Sequence, residues 1–60
     1  MKNYMLIIIN KDGNQSAEFT DEILDVIDVK AAFELKLDYR VDVYQLKKDK
    51  EGKDHYQLML

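Results

Sequence analysis

Sixty residues, 47% of them hydrophobic, make a single domain, 1–60, with a thin core, since a chain this short buries only about 60% of the surface its unfolded form exposes. There is no cysteine to form a disulfide, and one histidine cannot build a Cys/His zinc site. The net charge of −3 is not the basic footprint of a general nucleic-acid binder, and it is unevenly spread: residues 20 to 38 hold six acids against two lysines, residues 39 to 60 five bases against four acids.

The first apolar run, Tyr4 to Ile9 in "YMLIIIN", is β-branched and unbroken, which reads as a strand covered on both faces or lying centrally in its sheet. It falls far short of the roughly 20 residues that span a bilayer and is followed by no signal-peptide cleavage pattern, so the chain is expected to be soluble and cytoplasmic. "NKDGNQ", Asn10 to Gln15, follows it as a turn. "QSAEF", residues 15–19, then alternates weakly as a short strand.

Thr20 precedes "DEILDVIDVKAAFELKLD", whose helix formers, acidic first turn and lack of breakers predict a helix over residues 21 to 36. "YRVDVYQL" alternates with Tyr39, Val41 and Val43 on one side. After "KDKEGKD", "HYQLML" alternates again with Tyr56, Leu58 and Leu60 together, and the two runs predict a hairpin. The resulting plan is α+β, in β(β)αββ order: an antiparallel sheet of three or four strands with one helix across a face.

The only two glycines, Gly13 and Gly52, sit in the two polar stretches. A phosphate loop needs several glycines and must open a helix, whereas each stretch holds one glycine and leads into a strand. A calcium loop needs glycine at its sixth position and glutamate at its twelfth. From Asp49 the glycine comes fourth and the twelfth residue is Leu60; from Asp12 the glycine comes second. Both stretches are read as turns whose glycines supply positive φ.

Catalysis has little to draw on. Ser16 lacks a nucleophile-elbow context, and His55 beside Asp54 reads as a solvated residue at a strand end. One sheet and one helix also leave little room for a pocket of about 300 Å³ or more. The chain is therefore read as non-enzymatic, with no catalytic, metal or cofactor site, no small-molecule substrate and no membrane partner.

Two features of the helix point to contacts instead. Asp21, Asp25 and Asp28 fall within an arc of about 60°, an acidic stripe that reads first as a solvated face and second as a surface for a basic partner. The apolar residues form two arcs. Ile23, Leu24, Ile27, Ala31 and Leu35 span about 120°, the stripe expected to lie on the sheet; Val26, Val29, Phe33 and Leu37 span about 80° elsewhere, interrupted by Glu22. Three explanations of the second arc are open: a bend near Val29 and Lys30, a homodimer interface, or a docking face for a different protein.

The composition, rich in Lys, Asp, Ile, Asn and Tyr without Pro, Cys or Trp, resembles that of small proteins from AT-rich bacterial genomes and their phages and mobile elements. The run "YRVDVYQLKKDKEGKDHYQLML" is similar in style to the terminal hairpins of such proteins. The resemblance implies a small adaptor or inhibitor that binds a host or viral protein. The expected function is thus a protein-interaction module, dimeric through Val26, Val29, Phe33 and Leu37. The alternative is a protein that binds single-stranded nucleic acid on its strands, where Arg40, Tyr44, Lys47, Lys48 and Tyr56 interleave bases and aromatics, diluted by Asp42, Asp49, Glu51 and Asp54.

Overall fold

The computed structural model describes all residues 1–60. Strands β1 (Tyr4–Ile9), β2 (Gln15–Thr20), β3 (Arg40–Lys48) and β4 (Asp54–Leu58) form one antiparallel sheet in the order β2-β1-β3-β4. Helix α1 (Ile23–Ala31) runs on into a π-helical turn, Ala32–Lys36, and connects β2 to β3. This is the expected α+β arrangement of one helix on a four-stranded sheet. The weak "QSAEF" segment is a true strand, paired along β1 from Tyr4↔Thr20 to Ile9↔Gln15.

The two glycine-centred stretches are the same turn used twice. In the first, Asn10 N–H donates to Asn14 O and Gly13 N–H to Asn10 O; in the second, Asp49 N–H donates to Lys53 O and Gly52 N–H to Asp49 O. The side chain of the first residue fastens each loop from within: Asn10 Oδ1 accepts from the Asp12 and Asn14 amides, and Asp49 Oδ1 from those of Glu51 and Lys53. The fourth residue must take a left-handed conformation, and it is glycine both times, at φ 86° and 81°. Three-residue loops closed by a residue in the left-handed conformation are a common way to join two hairpin strands. The second loop is therefore of the same length as the first.

β1 and β3 lie at the centre. With period-2 alternation, Leu6 and Ile8 of β1 and Val41 and Val43 of β3 point to one face, in the register Leu6↔Val43 and Ile8↔Val41. With Val26 of α1 they are the five buried residues, and Tyr4, Val29, Phe33 and Tyr39 pack against them. The rings of Phe33 and Tyr39 stack with centroids 5.9 Å apart.

This packing reverses the expected roles of the two helical arcs. Val26, Val29 and Phe33 are core side chains and not a free interface. Leu37, where the helix ends, stays 47% exposed. The wide stripe meant for the sheet faces outward instead: Leu35 is 84%, Leu24 68% and Ile27 55% exposed. Two details explain the choice. The helix starts at Ile23 and not at residue 21, so Glu22 is its N-cap and no longer interrupts the narrow arc. Conversely, at 100° per residue Glu34 falls inside the wide stripe, and burying that stripe would press a carboxylate against the sheet. The helix carries no break at Val29 and Lys30; it changes pitch only at Ala32.

No atom lies within 4 Å of a Cβ built on Gly13 or Gly52, so these glycines serve backbone conformation alone. Gly13→Val and Gly52→Val are each expected to lower stability by more than about 1 kcal/mol, because a β-branched residue resists positive φ. Urea midpoints measure this directly, and an unchanged midpoint would show that the turn tolerates another conformation.

Candidate interaction surfaces

The outer flank of α1 is apolar without a partner in the chain. Ile23, Ile27, Ala31 and Leu35 of the helix and Leu60 from the end of the hairpin line an open groove of about 320 Å³. A groove of this size is more than so small a fold was expected to offer. Lys30 and Glu34 supply its polar groups and neutralise each other, Nζ lying 2.9 Å from Oε2.

Leu60 reaches this place through a β-bulge. Met59 N–H and Leu60 N–H both donate to Val43 O, at 2.7 and 3.2 Å, and Val43 N–H donates to Leu60 O at 3.0 Å. Two residues thus face one, which shifts the alternation. Leu58, opposite Tyr44, lies on the face away from the helix, while Leu60, beside Val43, turns to the helix side. The expected grouping of Tyr56, Leu58 and Leu60 on one face therefore fails at Leu60. β4 ends at Leu58, and past Val43 the edge of β3 has no strand beside it. Lys30 closes it there, donating from Nζ to Val41 O at 3.0 Å, and an ammonium at an open edge discourages pairing with another strand.

The second surface is the sheet face away from the helix. Met5, Ile7 and Ile9 of β1 point there. The register adds Ala17 and Phe19, Tyr44 and Leu46, and Tyr56 and Leu58 from the other three strands. Phe19 and Tyr56 stand on the two outermost strands, yet their ring centroids are 6.1 Å apart, so the rings lean inward over the central strands at one end. Tyr56 Oη donates to Lys2 O at 2.8 Å.

The acidic stripe does not assemble. Asp21 lies before the helix, where its Oδ1 accepts from the Asn3 amide and its Oδ2 sits 3.4 Å from Lys2 Nζ. Asp25 Oδ2 accepts from Thr20 Oγ1, which itself accepts from the Glu22 amide. Thr20 thus holds the start of the helix from two residues before its N-cap. Only Asp28 is left without such a partner.

The basic and aromatic residues are also divided. Arg40, Tyr44, Lys48 and Tyr56 share the uncovered sheet face, but Lys47 points to the helix side. Arg40 pairs with Asp42 at 3.0 Å and Lys48 with Asp54 at 2.9 Å. Ser16 and His55 stand on β2 and β4, at opposite edges of the sheet. No three His, Asp or Glu side chains are grouped to hold a metal ion, and no helix is long and apolar enough to cross a membrane. Comparison with protein-family models, curated proteins and solved structures found no match.

The Asn3 amide, and after it the Lys2 ammonium, hold the Asp21 carboxyl below its ordinary value of 3.8. A depressed carboxylate pKa contributes stability above the unfolded-state value and loses it as pH falls through the folded one. Asp21→Asn is therefore expected to be slightly less stable than wild type at neutral pH, the gap closing as pH falls below the ordinary carboxylate range and Asp21 becomes protonated in the folded chain. Urea titrations at a series of pH values read this out; a gap that persists in acid would locate the effect elsewhere.

Proposed function

We propose that this chain is a non-enzymatic protein-interaction module, an adaptor or inhibitor that receives an apolar segment of another protein in the groove between α1 and Leu60. The observation that carries the reading is the outward apolar stripe of the helix: Leu24, Ile27 and Leu35 stand more than half exposed although the core-facing arc already covers the sheet. Apolar patches kept in water beyond the needs of the fold mark contact sites. An amphipathic helix laying its apolar side into an apolar groove is a recurring mode of such recognition. Since Lys30 and Glu34 spend their charge on each other, the groove selects for aliphatic side chains and not for charge.

Ile27 is central to the stripe and exposed, so Ile27→Glu leaves the fold intact while placing a carboxylate in the groove. A protein retained in fixed stoichiometry by the wild type is expected to be lost from Ile27→Glu and kept by Leu58→Lys, whose change lies on the opposite surface. Circular dichroism checks that the variants are folded. Equal capture by the wild type and Ile27→Glu would remove the groove from the account.

A further inference from the structure

β1 is apolar on both sides, as strands are in sheets covered on both faces, yet the helix covers only one. Leu6 and Ile8 meet the helix layer, and Met5, Ile7 and Ile9 face away from it. The molecule is only 16 Å across its thinnest dimension, which fits one helix layer on one sheet. The uncovered face joins apolar side chains from all four strands, with Ile7 between Ala17 of β2 and Asp42 of β3.

We propose that this face is the contact between two copies of the chain, which stack sheet on sheet into a four-layer particle with the helices outermost. Size selects the face. Four strands about 4.8 Å apart and six residues long give a flat footprint of roughly 400 Å², whereas a helix of this length and about 10 Å width offers roughly 200 Å². Stable complexes bury about 800 Å² of accessible surface per partner, and the sheet face comes nearer to that need than the single helix does.

Charge selects the partner. The four charged groups on this face are matched as Arg40 with Asp42 and Lys48 with Asp54, so the face is neutral within itself. A two-fold contact brings a surface against its own copy, and a neutral apolar face meets no like-charge repulsion there. Nucleic acid would find no free cation in this set, and a strongly charged partner no counter-charge. The copies leave the helical groove open on each outer side, so the dimer stands independently of what the groove receives.

Sedimentation equilibrium across the micromolar range tests this. The wild type is expected at twice its 7.1 kDa chain mass. Ile7→Lys and Leu58→Lys are expected to raise the dissociation constant by at least about tenfold while keeping the circular dichroism of the folded chain; Leu24→Lys, on the helix, is expected to stay dimeric. Leu58 is 59% exposed in the single chain, so its variant decides the matter if Ile7→Lys fails to fold. A monomeric wild type, a dimer that survives Leu58→Lys, or one dissolved by Leu24→Lys would each overturn the proposal. None of these results bears on capture at the groove, which Ile27→Glu tests separately.

Discussion

Val26 set down on Leu6, Ile8, Val41 and Val43 is the contact on which the rest of the molecule depends. These five side chains are the whole of the buried core. Four come from the two central strands, so the sheet supplies the floor and the helix a single deep anchor, widened by Val29 and Phe33. Burying such an aliphatic group contributes about 1.5 to 3 kcal/mol, while a small domain is stable by only about 5 kcal/mol or somewhat more. Each contact is thus a large fraction of the total. Once Val26 faces the sheet, the turn geometry of the helix carries Leu24, Ile27 and Leu35 to the outside.

The same constraint accounts for the surplus of apolar surface. A single helix can shield one face of a four-stranded sheet and leave the other bare, and here both the bare face and the back of the helix are apolar. The chain limits the hazards of this arrangement locally. Lys30 blocks the open edge at Val41, the Phe19 and Tyr56 rings close part of the sheet face over the inner strands, and ion pairs neutralise its charges. What remains exposed is apolar and lies on two separate surfaces, the back of the helix and the far face of the sheet.

Strands, turns and connection order were legible because their signals are local. Alternation places Val41 and Val43 together, and Asp12-Gly13 and Glu51-Gly52 announce positive φ. The facing of the helix was not legible from periodicity, because two arcs were apolar and the wider one looked sufficient. The deciding signals lay in single charges: Glu22, excluded once the helix starts at Ile23, and Glu34, seated within the wide stripe. The bulge at Met59 and Leu60 has no sequence mark at all, since it arises where two amides converge on Val43 O. It moved Leu60 to the groove, and no alternation rule would have put it there.

The absence of cysteine makes the facing of α1 directly measurable. Single-cysteine variants Val26→Cys and Ile27→Cys differ by one position and are small changes at both. The rate of reaction with a water-soluble thiol reagent under native conditions, relative to the rate in urea, reports the exposure of each site. Ile27→Cys is expected to react nearly as fast as in the unfolded chain, and Val26→Cys to be protected until the domain opens. A protected Ile27→Cys beside a freely reacting Val26→Cys would put the wide stripe on the sheet and contradict this facing.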